Sequence, residues 1–246
     1  MNFQVVGDVM QAVIVQMGAG EEVRAEAGSM LFMTDGVQMD TQMSGGLFGG
    51  LKRMLVGESL FIPYFRCQAP QAMVAFASPT PGKVRQLDLM GQSWICQRDS
   101  YLFSGTSVEI SIAFTKKLGA GFFGGEGFIL QRLSGHGPAF ISGGGNFVEY
   151  TLGPGQRIKV DTGCIVGFEE SVQYDIQFVG GFKNTLFGGE GLFLATLTGP
   201  GQIILQTLPF SRLAGRITGA TTEGSSGLGG VAGTFGDLGR MFGGGD

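Results

Sequence analysis

Histidine is all but absent from this chain: the single one in 246 residues is His136, set in the turn-forming run Ser134-Gly135-His136-Gly137-Pro138. Without a second imidazole, a histidine-built metal site of the cupin type lacks its ligands. Any Ser-His-Asp or Cys-His arrangement would rest on that one turn residue, and no Gly-x-Ser-x-Gly elbow marks a strand-to-helix turn. General acid–base chemistry draws on histidine more than on any other side chain. The chain is therefore read as non-enzymatic, with no catalytic residue, no metal and no cofactor.

Charge is also scarce. Only 15% of the residues are charged, and 16 Lys and Arg against 20 Asp and Glu leave a net charge of −4. No basic field exists to draw in phosphate backbones, so nucleic acid is not an expected partner. The three cysteines, Cys67, Cys96 and Cys164, are odd in number and lie far apart inside apolar runs. That pattern fits reduced, buried thiols better than a disulfide framework or a zinc site, and it points to the cytoplasm. No stretch approaches the roughly 18 consecutive apolar residues of a membrane-spanning helix. Met1 to Met17 lacks the basic start and apolar run of a signal peptide.

Glycine and phenylalanine are plentiful instead, at 46 and 21 residues. Glycine costs a helix interior about 1 kcal/mol relative to alanine, so this composition describes short strands joined by tight turns. Alternating segments such as Val108 to Phe114, Val172 to Phe178 and Ile203 to Thr207, and turns at Gly153-Pro154-Gly155 and Gly199-Pro200-Gly201, complete an all-β reading.

The segments repeat. Gly57-Glu58-Ser59-Leu60-Phe61-Ile62, Gly125-Glu126-Gly127-Phe128-Ile129-Leu130 and Gly189-Glu190-Gly191-Leu192-Phe193-Leu194 recur at a spacing of about 65 residues. Upstream of each lies an alternating strand, at Val37 to Asp40, Val108 to Ser111 and Val172 to Asp175. Further upstream come Gly20 to Gly28, Gly82 to Gly91 and Gly155 to Gly163, taken as a third set of counterparts. The expectation is three tandem β repeats, a jelly-roll-like or double-stranded β-helix unit each, over residues 1–78, 79–152 and 153–217, with a Gly-rich disordered tail at 218–246.

The connecting loops carry Leu47-Phe48, Phe122-Phe123 and Leu186-Phe187 ahead of double glycines, and Glu58, Glu126 and Glu190 follow. Apolar side chains on Gly-rich loops either tuck into a core or form an interaction surface. The glutamates suit backbone N–H groups at a turn or a neighbouring unit better than acid–base work. Gly124 to Gly127 superficially resembles a phosphate loop, but no Gly-Lys-Ser/Thr follows.

The run Leu186 to Leu194, followed by Leu197-Thr198-Gly199-Pro200-Gly201, resembles the signature of the altered-inheritance-of-mitochondria (mitochondrial biogenesis) family and its bacterial relatives. The likeness covers about Met1 to Arg216 and carries the motif twice in register, at Gly119 to Leu130 and Gly180 to Leu194. The first copy departs through the insertion Leu51 to Val56 and through Ser59. The resemblance implies a fold like that of the tryptophan RNA-binding attenuation protein (TRAP), with three β domains per chain in a pseudo-threefold arrangement and three chains closing a ring of nine. It brings no catalytic residues, and RNA binding by that fold's namesake is no warrant here.

These features lead to a non-enzymatic scaffold, a homotrimer whose edge strands pair between units and between chains. The alternative is a small-ligand or anion binding module with sites between repeats, where Gly-rich backbone meets a repeat glutamate or an arginine (Arg24, Arg85 or Arg157). A membrane-surface role would rest on Leu47 to Val56, with Lys52-Arg53 and Lys116-Lys117 supplying marginal attraction.

Overall fold

In the computed structural model, residues 1–40, 62–116, 128–179 and 192–217 are described. Leu47, Phe48, Glu58, Phe122, Phe123, Glu126, Leu186, Phe187 and Glu190, and the tail from residue 218, lie outside them. The chain divides at Pro209. Met1–Pro209 holds every strand given below, and the described part of the second unit, residues 210–217, is a short helix. No helix among the described residues is long and apolar enough to cross a membrane.

After β1 (Asn2–Val6), which pairs with β2 (Ala12–Gly18), the strands follow one pairing scheme. β2 and β4 (Met30–Met33) both pair with β7 (Gln71–Ala77), while β3 (Glu22–Ala25) and β5 (Val37–Asp40) both pair with β6 (Tyr64–Cys67). The next strands do the same. β8 (Gly82–Met90) and β10 (Tyr101–Gly105) pair with the C-terminal part of β12 (Phe128–Gly144). β9 (Trp94–Gln97) and β11 (Val108–Lys116) pair with its N-terminal part. In the last set β13 (Phe147–Leu152) and β15 (Ile165–Glu169) take β18 (Gly201–Gln206). There β14 (Arg157–Asp161) and β16 (Gln173–Val179) take β17 (Leu192–Thr198). All of these pairs are antiparallel.

Small irregularities coincide as well. β4, β10 and β15 each carry a register shift one residue in, between Met30 and Phe32, Tyr101 and Phe103, and Ile165 and Gly167. Such a bulge bends a strand and sharpens its twist. Gly20, Gly91 and Gly155 each turn the chain between the first two strands of a set with φ of 81, 83 and 72°, a conformation that costs glycine nothing.

One counterpart expected from the sequence is displaced. Gly82 to Met90 is β8, which pairs as β2 and β13 do, so the segment matching β3 and β14 is β9. β9 sits between β12 and β15 and is buried along its whole length, so it lacks the alternation that marks β3. β13, grouped by sequence with the second copy, pairs into the third set through β18.

The core falls into three clusters, each shared across sets. Phe65, Phe76 and Val74 pack with Phe103 and Phe140, and Leu197, Ile203 and Phe168 pack with Ile95, Phe128 and Leu130. Leu87, Leu133 and Ile141 pack with Val166 and Ile204.

Candidate functional site

Strand pairing also joins the sets. β10 pairs with β3 through Phe103↔Ala25, Ser104↔Arg24 and Gly105↔Val23. β15 pairs with β9 through Gly167↔Cys96, Phe168↔Ile95 and Glu169↔Trp94. Counted from Gly20 and Gly91, the two registers are the same. Backbone bonds flank the joints: Glu26 N donates to Leu102 O at 2.8 Å, and Glu170 N donates to Ser93 O at 3.0 Å.

The joints differ in how they fill space. In the first, Phe103 stands opposite small Ala25, and the buried Tyr101 hydroxyl donates to Arg24 O at 2.9 Å. In the second the sizes are reversed. A Cβ on Gly167 would lie 2.8 Å from Cys96 Sγ, so any larger residue there forces the thiol or the backbone beside it to shift. Burial pushes the Cys96 thiol up to about 12 and raises the Tyr101 hydroxyl above its usual range, each neutral form being the better one away from water.

Among the described residues no third joint is found. β4, the counterpart of β10 and β15, is the last strand of the sheet β1-β2-β7-β4, and β14, the counterpart of β3 and β9, ends the sheet β14-β17-β16. β10 is buried throughout and β15 from Ile165 to Phe168. Every residue of β4 is exposed: Met30 38%, Leu31 58%, Phe32 39% and Met33 41%. A row of four exposed apolar side chains, on an edge with no partner strand among the described residues, departs from ordinary surface chemistry.

Among the described residues no reactive cluster competes with it. Arg24, Arg85 and Arg157 fall on β3, β8 and β14, which occupy two different places in the pairing scheme, and Arg85 is taken by Glu149 at 3.3 Å. His136 is exposed, between Gly135 and Gly137 at positive φ. Cys67 and Cys96 are buried free thiols and Cys164 is half-buried. No group of three metal-ligating residues occurs among the described residues.

Residues 3–208 match the family described as Mitochondrial biogenesis AIM24. The chain belongs to this family. The AIM24 match ends close to where the strand-bearing unit ends, at Pro209. An uncharacterised protein of Streptococcus pyogenes serotype M6 is 27% identical over 211 residues, spanning 82% of this chain and 84% of that protein. A crystal structure of a Streptococcus pyogenes protein, solved by structural genomics, superposes with a TM-score of 0.73 at 24% identity, covering 88% of this chain and 98% of that one. That likeness shows a shared fold.

Sequence reasoning placed the interaction surface on the Leu-Phe loops and passed over β4. The available signal was Met30-Leu31-Phe32-Met33, four apolar residues at the place where Tyr101 to Gly105 and Ile165 to Glu169 stand in the other sets.

Proposed function

We propose that this AIM24 family member is a non-enzymatic, self-assembling scaffold. Three units like those of the tryptophan RNA-binding attenuation protein follow one another in each chain, and three chains close into a ring of nine. The reading is carried by one observation: among the described residues the strand array has half of a joint at each end, β4 at one and β14 at the other. Support also comes from the thrice-recurring pairing scheme and from the single histidine, His136, which is exposed and offers acid–base chemistry one imidazole only. A head-to-tail contact of this kind generates a closed ring when the rotation per step fits a whole number of copies.

Light scattering coupled to size-exclusion chromatography tests it. The expected mass is three times the 25.8 kDa of the chain. A single-chain mass at micromolar concentration overturns the proposal.

A further inference from the structure

We propose that the assembly contact is a third strand joint, in which β4 of one copy pairs antiparallel with β14 of the next in the register Phe32↔Val160, Met33↔Lys159 and Thr34↔Ile158; this rests on the self-assembly reading and specifies its interface. The register is that of the two internal joints carried over by position. Phe32 corresponds to Phe103 and Gly167, and Val160 corresponds to Ala25 and Cys96.

The occupant is a second copy because the chain already shows what covers such an edge. β3 is covered by β10 and β9 by β15, in each case by the third strand of the following set. Among the described residues β14 is the one such strand with no following set, and β4 is the one third strand with no preceding set. Within Met1–Pro209 the two strands close separate sheets and do not pair with each other. Joining them between copies completes a sheet of the kind found inside, with β16, β17 and β14 continued by β4, β7 and β2. The residues suit the contact. Val160 is buried and Ile158 half-buried in β14, and Lys159 can lay its aliphatic stem along Met33 while its ammonium reaches water.

The bond pattern selects the residues for a test. Because Glu26 N donates to Leu102 O, Ala25 and Phe103 form a non-hydrogen-bonded pair, whose Cα atoms lie closest. Phe32 and Val160 inherit that place, and a disulfide fits it. Lys159 is one residue along, on the opposite face, so its Cβ points away.

Differently tagged Phe32→Cys and Val160→Cys chains, co-expressed and then oxidised, are expected to give a covalent dimer carrying both tags. Phe32→Cys with Lys159→Cys is expected to give none. In the unaltered multimer, amide exchange in peptides spanning residues 30–34 and 157–161 is expected to slow at least tenfold relative to single chains obtained by dilution. If the mass is multimeric but neither the crosslink nor the protection is found, the joint is overturned and the self-assembly reading stands. If the mass is that of a single chain, both fall.

Discussion

Phe103 stacks on Phe140 with ring centroids 4.3 Å apart and planes 8° from parallel, while Phe76 covers its other face at 4.6 Å. The three rings come from β7, β10 and β12, so one aromatic column spans the joint between the first and second sets. Phe103→Ala is expected to destabilise the fold by about 3–5 kcal/mol, through lost transfer energy and the cavity left among rings that cannot collapse onto it. Urea unfolding checks this, and a midpoint within the error of the parent's would mean the column is not what holds the joint.

The second joint depends on a missing side chain. A Cβ at Gly167 would meet Cys96 Sγ at 2.8 Å and Ile95 O at 3.2 Å. Gly167→Ala is expected to cost about 1–3 kcal/mol, as overpacking of a filled site does. If the thiol is the main obstacle, the cost shrinks in a Cys96→Ala background. Equal costs in both backgrounds would shift the blame to the Ile95 carbonyl.

Much of this organisation was legible in the sequence, but unevenly. Val37 and Val108, and Val172 beside β16, begin segments that alternate because each forms the outer strand of its own pair with one face open, and such strands keep a period of two. β9 is enclosed on both sides and Trp94 to Gln97 shows no alternation, so the alternating Gly82 to Gly91 reads as the counterpart in its place. The Met30 to Met33 edge was hidden for a related reason: an apolar run looks the same whether its covering strand belongs to the same chain or to another. The nine Leu, Phe and Glu residues expected to form interaction loops lie outside the described residues.

Alkaline pH is expected to weaken the fold. Cys96 keeps its proton up to about 12 in the folded state, whereas in the unfolded chain it loses it near the ordinary thiol value. Between those two points the unfolded state binds fewer protons, so stability falls as pH rises, by up to about 1.4 kcal/mol per unit from this group. Tyr101, also raised by burial, adds to the fall above the usual phenol range. Urea midpoints from pH 8 to 11 should decline for the parent and decline less steeply for Cys96→Ala; parallel curves would exclude the thiol as the cause.

Ion pairs between sets should matter little by comparison. Arg132 Nε lies 2.8 Å from Glu170 Oε1, but their side chains are 43% and 47% exposed, and Arg85 with Glu149 is similarly open. Exposed pairs are worth about 0–1 kcal/mol and are screened by salt. Arg132→Ala is therefore expected to shift stability by less than about 1 kcal/mol, with little further change at high salt. A loss near that of Phe103→Ala would show that charge, not aromatic packing, fastens the sets together.

Phe32 separates folding from assembly. It occupies the position of Phe103 but belongs to none of the three buried clusters, and it is 39% exposed where Phe103 is fully buried. A charge there costs the single chain little, because an exposed substitution usually moves stability by about 0.5 kcal/mol or less. In a β4–β14 joint the same charge would be buried opposite Val160 without a partner, which is strongly unfavourable. Phe32→Glu is thus expected to leave the circular dichroism spectrum of the chain unchanged while its mass falls to that of one copy. A folded multimer would remove β4 from the interface and turn attention to the other exposed strands.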